Sequence, residues 1–150
     1  MRYIWRISMY ADLSGRGGLL GEGRWHRRGI PVVYCTDHPS TALLEVLVHI
    51  DAEDVPSTYQ LLKISCPEDL PIYKASEPHN RLEDTEYTRT LGSTVLSGGQ
   101  YCLLDVPSVI MPLARNVLIN PEHPASSAIR IEEKYQFAFD QRLLNQHKVT

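Results

Sequence analysis

Short apolar runs separated by turn-forming residues dominate the chain. Runs of β-branched and aromatic residues bounded by Gly, Pro, Asn or Asp are typical of strands. By this pattern we place strands at residues 2–9, 31–36, 58–65, 100–112, 116–119 and 135–139. Pro107 divides the run at 100–112, which therefore predicts two short strands. The chain is expected to be built mainly from strands.

Two segments have the spacing of helices. Asp37 followed by His38 and Pro39 predicts a helix start, because Asp caps free amides and proline fits a first turn. This helix continues through residues 40–50. Its predicted apolar face is Leu43, Leu44, Leu47 and Ile50. A polar segment from about 84 to 96 predicts a second helix, which ends at the glycine pair that follows.

The order of these elements does not alternate strictly between strand and helix, which favours an α+β fold with a mixed or antiparallel sheet. The 150 residues suit one compact domain. They contain no internal repeat or linker, so residues 1–150 are predicted to form a single domain. Residues 12–29 are read as a glycine-rich loop.

Charge argues against nucleic acid as a partner. The formal net charge is −3, whereas proteins that neutralise many phosphates usually carry a basic excess. One local basic patch suits a small anionic ligand. It consists of Arg16, Arg24, Arg27 and Arg28.

Other bulk features point to the cytoplasm. No apolar run approaches the roughly 20 residues of a membrane span, and the N-terminus lacks the pattern of a signal peptide. Cys35, Cys66 and Cys102 are odd in number and lie in unrelated contexts. They are interpreted as reduced thiols of a cytoplasmic protein.

Several familiar motifs fail. Neither Gly15-x-Gly17 nor Gly21-x-Gly23 is followed by the third glycine of a dinucleotide fold, and no Walker sequence occurs. The histidines and cysteines lack zinc-ligand spacing, so no metal is expected. The surroundings of Ser108 are not those of a hydrolase nucleophile.

Four positions could carry chemistry, and each has a simpler interpretation. Arg24 ends the glycine-rich loop and offers a planar fork for a phosphate, or it faces solvent. Glu45 shares a helical stripe with Thr41 and His49, which faces either a cleft or water. Tyr34 could stack on a flat ring or pack in the core. Ser108 could bind a ligand or satisfy a turn.

Taken together, these segments resemble the RES domain, a family named after an Arg, a Glu and a Ser. GEGRWHRRGIPVVYCTDHPSTALLEVLVH (21–49) is similar to the family's most recognisable block, G-G-R-W-N followed by P-V-x-Y and A-L-L-E. IWRIS, which contains Arg6, is similar to its opening strand. Residues 103–124 and FAFDQRL (137–143) are similar to its second block and its ending. His26 replaces the usual Asn, and Glu22 a common Gly.

The resemblance implies an ADP-ribosyltransferase-like fold, similar to that of diphtheria toxin, and the toxin of a type II toxin–antitoxin pair. Such toxins degrade NAD⁺, with water or phosphate as acceptor, or transfer its ADP-ribose to a protein. Catalysis is thereby expected from Glu45, Arg24 and Ser108, and NAD⁺ binding from Arg6, Arg24, Tyr34 and Ser108. NAD⁺ is the substrate, and no metal is implied.

The same resemblance implies an Xre-like helix-turn-helix antitoxin that blocks the active site, and it suggests a homodimer. The acceptor cannot be read from the sequence. A further alternative is a catalytically silent protein that only associates with a DNA-binding partner, although Arg24, Glu45 and Ser108 are all present.

Overall fold

The computed structural model describes residues 1–50, 57–136 and 138–144. Its strands are β1 (Arg2–Ser8), β2 (Val33–Thr36), β3 (Gln60–Cys66), β4 (Ile72–Lys74), β5 (Leu103–Pro107), β6 (Arg115–Ile119) and β7 (Arg130–Gln136). Its α-helices are α1 (Arg16–Leu20), α2 (Pro39–Leu47), α3 (His79–Leu82), α4 (Thr85–Ser97) and α5 (Gln141–Leu144). A 3-10 helix covers Pro124–Ala128.

The described strands form one seven-stranded sheet in the order β4-β5-β6-β2-β1-β3-β7. Only β4 and β5 are parallel, and every other neighbouring pair is antiparallel. A mixed sheet with a few short helices confirms the predicted α+β class.

The middle of the sheet is split. β1 pairs with β3 over seven residues and β2 with β6 over four, but β1 and β2 share the single pair Trp5–Thr36. Beyond this pair the two strands separate, so the backbone groups of β2 that face β1 have no strand partner. The Arg6 side chain fills this role in part, because its Nη1 donates to the Tyr34 carbonyl oxygen at 2.8 Å. The split opens a hollow in the centre of the molecule.

Apolar side chains cover both faces of the sheet, as the alternation of a strand requires. One core includes Ile4, Leu62 and Val117 together with all three cysteines. On the opposite face, Trp25 and Leu118 pack beneath α4. A third cluster packs α2 and α5 against the end of β1. These three cores fix the walls around the split.

The helix predicted at 40–50 is present, but its start and end differ. The cap is His38 rather than Asp37, because His38 Nδ1 accepts the Ser40 N–H at 3.1 Å. Asp37 instead accepts the Arg115 N–H at 3.0 Å, which ties the helix start to β6. The helix ends at Leu47. The second predicted helix is confirmed as α4, with Asp84 as its cap.

Several other predictions are corrected. The segment 12–29 is not entirely loop, since it contains α1. The second strand expected after Pro107 is absent, and residues 108–113 form bends and a turn. The strand predicted at 135–139 lies earlier, as β7, and residue 137 lies outside the described residues. β4 and α3 were not predicted.

Candidate active site

An open cleft of about 1110 Å³ occupies the split between β1 and β2. Ligand sites commonly have volumes of about 300–1,000 Å³, so the cleft is large enough for an extended molecule. Four of the predicted site residues line it. They are Arg6, Arg24, Tyr34 and Glu45. The fifth, Ser108, lies behind the wall rather than in it.

The polar stripe predicted on the helix at 40–50 is only partly turned toward this cleft. Glu45 and His49 both line the cleft, although His49 is exposed and lies beyond the end of α2. Thr41 is buried, with its Oγ1 3.3 Å from Asp37 Oδ1. For Glu45 the structure thus favours the cleft over bulk water.

Two uncharged donors hold the Glu45 carboxylate from the side of β6. Asn116 Nδ2 donates to Glu45 Oε1 at 2.9 Å, and Ser108 Oγ lies 3.5 Å from the same oxygen. Among the described residues, no donor contacts Glu45 Oε2. One oxygen is therefore held while the other remains available to a ligand.

Ser108 lies beside Glu45 and is not among the residues that line the cleft. It is buried, and its Oγ accepts the backbone N–H groups of Ile110 and Met111, each at 3.2 Å. These two bonds occupy the acceptor side of the hydroxyl and leave its hydrogen to point at Glu45. The 3.5 Å separation is long for an O–H···O bond.

Tyr34 and the glycine-rich segment are joined by a chain of hydrogen bonds. His26 Nε2 lies 2.8 Å from the Gly21 carbonyl oxygen, which only accepts, so this nitrogen donates. His26 Nδ1 lies 2.7 Å from the Tyr34 hydroxyl oxygen, and that hydroxyl accepts the Trp25 N–H at 3.1 Å. Burial raises the pKa of the Tyr34 phenol. Glycine at position 23 leaves room for the Tyr34 hydroxyl, because a Cβ there would lie 2.5 Å from it.

The lining of the cleft is rich in guanidinium groups. Four arginines line the cleft, against three carboxylates: Arg6, Arg16, Arg24 and Arg89, and Asp12, Glu22 and Glu45. Arg24 donates to the Leu82 carbonyl oxygen at 2.6 Å. Within the described part of the chain, no carboxylate lies within 4.0 Å of Arg6, Arg16 or Arg24. These three positive charges are available to an anionic ligand.

Sequence reasoning missed two residues of this site. Asn116 contacts Glu45, and its only signal is a polar residue at the start of the apolar run NVLI. Arg89 lies on α4, donates from Nε to the Gly23 carbonyl oxygen at 2.8 Å and pairs with Glu22 at 3.4 Å. No local pattern connects Arg89 to the glycine-rich segment 66 residues earlier.

Two findings concern other kinds of site. The described residues contain no group of three or more His, Cys, Asp or Glu side chains that could hold a metal ion. They also contain no helix that is long and apolar enough to cross a membrane.

The mixed seven-stranded sheet with its few short helices defines an α+β fold, and the split between β1 and β2 gives this fold a central cleft. A chain in the crystal structure of the M. tuberculosis MbcT–MbcA toxin–antitoxin complex has a similar fold. The TM-score is 0.70 at 17% identity, and the match covers 91% of this chain and 84% of that one. The fold class expected from the sequence is thus confirmed.

The chain belongs to the RES family, since the RES domain model matches residues 3–140. It is 47% identical over 145 residues to the protein named Toxin Res of Pseudomonas putida strain KT2440, covering 93% of this chain and 98% of that one. It is 31% identical over 159 residues to the Prs ADP-ribosylating toxin of Sphingobium sp. strain YBL2, covering 94% and 96%.

Proposed function

We propose that this chain is the toxin of a toxin–antitoxin pair and that it cleaves the nicotinamide–ribose bond of NAD⁺, which lowers cellular NAD⁺ and stops growth. Membership of the RES family and the relatives named Toxin Res support the toxin function. The toxin is expected to act in the cytoplasm, where NAD⁺ is abundant.

The observation that carries this proposal is the pairing of two opposite features in one cleft. Its lining presents both a carboxylate oxygen without a donor and guanidinium groups without a carboxylate within 4.0 Å among the described residues. NAD⁺ has matching features, because its pyrophosphate is anionic and its nicotinamide ribose becomes cationic as the bond breaks.

The proposed chemistry follows from this arrangement. The C–N bond to nicotinamide breaks and its electron pair leaves with the pyridine nitrogen, so a neutral nicotinamide departs. Positive charge develops at the anomeric carbon, and the Glu45 carboxylate stabilises it. An oxygen of water or phosphate then bonds to that carbon and loses its proton. With water, the products are ADP-ribose, nicotinamide and one proton.

The remaining residues bind and orient the substrate. Arg24 and Arg6 hold the pyrophosphate through charge-assisted bonds. Tyr34 packs against the nicotinamide ring, with its hydroxyl already engaged by His26 and Trp25. In this arrangement Ser108 acts through Glu45. Its direct contact with ribose or phosphate, expected from the sequence, stays a prediction.

Transfer of ADP-ribose to a protein is the second candidate. The relative called the Prs ADP-ribosylating toxin favours it. In that reaction a protein side chain replaces water as the acceptor, and the same Glu45 and arginines serve the bond-breaking step.

A partner is expected at the cleft. The similar fold occurs in a complex named toxin–antitoxin, and we propose that an Xre-like helix-turn-helix antitoxin covers this site. A homodimer is a separate proposal. Size-exclusion chromatography with light scattering tests it, and a monomer at micromolar concentration would contradict it.

The test is nicotinamide release from NAD⁺ by the purified toxin, followed by chromatography of the products. We expect release by the wild type and by Glu132→Gln, an exposed glutamate on β7, but not by Glu45→Gln. Radiolabelled NAD⁺ with lysate separates the acceptors: a labelled protein band indicates transfer, and free ADP-ribose or its phosphate indicates degradation. Expression that neither slows growth nor lowers NAD⁺ would favour a silent binding protein.

A further inference from the structure

Three buried polar side-chain atoms lack a hydrogen-bond partner among the described residues. They are Arg6 Nε, Trp25 Nε1 and Asn116 Oδ1. All three belong to residues that line the cleft. Such atoms are rare in folded proteins because each loses its bonds to water without replacement. Their concentration around one cleft indicates that the arrangement serves a function there rather than stability.

Asn116 is the most informative of the three. Its backbone is fixed from both sides, since β6 pairs with β2 at Thr36 and with β5 at Val106. Its side-chain Nδ2 donates to Glu45 Oε1 at 2.9 Å while its Oδ1 stays unpaired. The opposite amide orientation would put Oδ1 against a carboxylate oxygen, which is repulsive. The contact with Glu45 therefore fixes the orientation of the amide and leaves Oδ1 without a partner.

From this geometry we propose that Asn116 is a positioning residue that holds Glu45 in the orientation needed to stabilise the developing cation. The inference rests on the proposed function. Glu45 lies on a helix of nine residues and is only half-buried, so its side chain would otherwise sample several rotamers. A donor anchored on a central strand restricts it to one. The Asn116 amide then occupies Oε1, and Oε2 is left for the substrate.

The chemical nature of the donor supports this role. An arginine or lysine at the same place would also orient the carboxylate, but its positive charge would offset the negative charge that the reaction uses. An amide orients without neutralising. Ser108 is likewise uncharged, so both donors on Oε1 leave the full charge of Glu45 for the substrate.

Asn116→Ala removes the donor, and Asn116→Asp replaces it with a group of nearly the same shape. We expect Asn116→Ala to lower kcat for nicotinamide release about 10- to 100-fold, the effect of misplacing a catalytic group by a fraction of its contact distance. KM for NAD⁺ should stay within about threefold, because the arginines remain.

Asn116→Asp provides a readout that a purely structural role would not move. Two carboxylates in contact share a proton at low pH, because both cannot be ionised at short distance without a large penalty. The acidic limb of the kcat–pH profile should therefore move to higher pH in this variant. In Asn116→Ala the limb should move in the same direction by less, because only one neutral donor to the ionised form is lost.

Asn120→Ala is the matched control. Asn120 follows the end of the same strand and is also buried, but its Nδ2 donates to the Leu96 and Tyr101 carbonyl oxygens, outside the cleft. This variant should unfold at a lower temperature with kcat unchanged at 20–25 °C. Unchanged kcat in Asn116→Ala, or an unshifted profile in Asn116→Asp, would overturn the proposal while leaving NAD⁺ cleavage intact.

Crystal structures of the wild type and Asn116→Ala supply a measure that needs no activity. Glu45 should occupy one rotamer in the wild type and several in the variant. If the wild type releases no nicotinamide but Glu45 still loses its order, the proposed function fails and the positioning role survives. A Glu45 side chain ordered in the same way in both proteins would contradict the positioning role itself.

Discussion

Glu45 and the arginines of the cleft are held in different ways. Glu45 comes from a helix and lies against Asn116 and Ser108, on and beside the sheet. Arg16 and Arg24 come from the glycine-rich segment and Arg6 from β1, and none of the three has a carboxylate within 4.0 Å among the described residues. The carboxylate is fixed by neighbouring donors, whereas these guanidinium charges have no paired carboxylate.

This difference separates the two kinds of contribution to an enzyme. A charge that acts only as the transition state forms changes kcat, whereas charges that hold an unreacting phosphate change binding. The chain as a whole is negative, so an anion is attracted by the local arginines and not by the overall field. Four experiments test this division between catalysis and binding.

Glu45→Gln should have the largest effect. Gln keeps the size of the side chain but removes its charge, so the developing cation loses its stabiliser. We expect kcat to fall by about 10²-fold or more, the usual loss when one electrostatic stabiliser is removed. Steady-state kinetics of nicotinamide release measures the fall in kcat, and KM should change little. Weaker NAD⁺ binding with kcat preserved would assign Glu45 to substrate binding rather than to catalysis.

Arg24→Ala tests the contribution of the cleft arginines to NAD⁺ binding. A charge-assisted bond to phosphate contributes about 1.5–3 kcal/mol, so NAD⁺ should bind roughly 10- to 100-fold more weakly. Calorimetric titration into Glu45→Gln, with and without Arg24→Ala, measures this without turnover. Salt should weaken binding in the parent and less so in the double variant.

Arg27→Ala is the control for that experiment. Arg27 lies three residues further along, but it pairs with Glu86 at 2.6 Å and donates to Thr90, outside the cleft. Its removal should leave NAD⁺ affinity unchanged. Equal weakening by both arginine variants would mean that overall charge, rather than the cleft, attracts the substrate.

The sequence predicted the elements with strong local patterns. β1, β2, β3, β5 and β6 follow apolar runs, and α2 and α4 follow helical spacing or a capping residue. β4 has three residues and α3 has four, too few for a period to register. β7 was misplaced because it is a largely exposed edge strand whose polar residues hide the alternation. Val109 and Ile110 appeared to extend a strand, but they line the cleft from a turn.

The site was predictable only as far as a resemblance could assign residues. Glu45, Arg24, Tyr34 and Arg6 came from family blocks, and the structure brings them together because β1 and β2 lie side by side in the sheet. Contacts that depend on the strand order left no local signal. Asn116 reaches Glu45 across 71 residues of sequence, and only the placement of β6 beside β2 creates that contact.

Gly92→Ala should disturb the backbone segment that carries Arg24. Gly92 lies in α4, and a Cβ there would be only 1.8 Å from the Trp25 carbonyl oxygen, next to Arg24. Backbone cannot yield as a flexible side chain can, so overpacking should lower the free energy of unfolding by about 1–3 kcal/mol. Urea denaturation measures it. Gly17→Ala, where the added Cβ meets nothing within 4 Å, is the control and should have little effect.

Cys35 is a buried residue in the lining of the same cleft and should contribute least. Burial raises the pKa of its thiol to about 12 from an ordinary value near 9. Above pH 9 the unfolded chain loses this proton while the folded chain keeps it, so the free energy of unfolding falls with rising pH, by on the order of 1 kcal/mol at pH 10. Cys35→Ala should reduce that slope while leaving kcat and KM at pH 7.5 within about twofold, since a neutral thiol is a poor nucleophile. Urea denaturation from pH 8 to 10, with each variant referred to its own value at pH 8, isolates the effect. An equal slope in both proteins would show that the thiol titrates normally. A large loss of kcat in Cys35→Ala would assign part of the chemistry to Cys35.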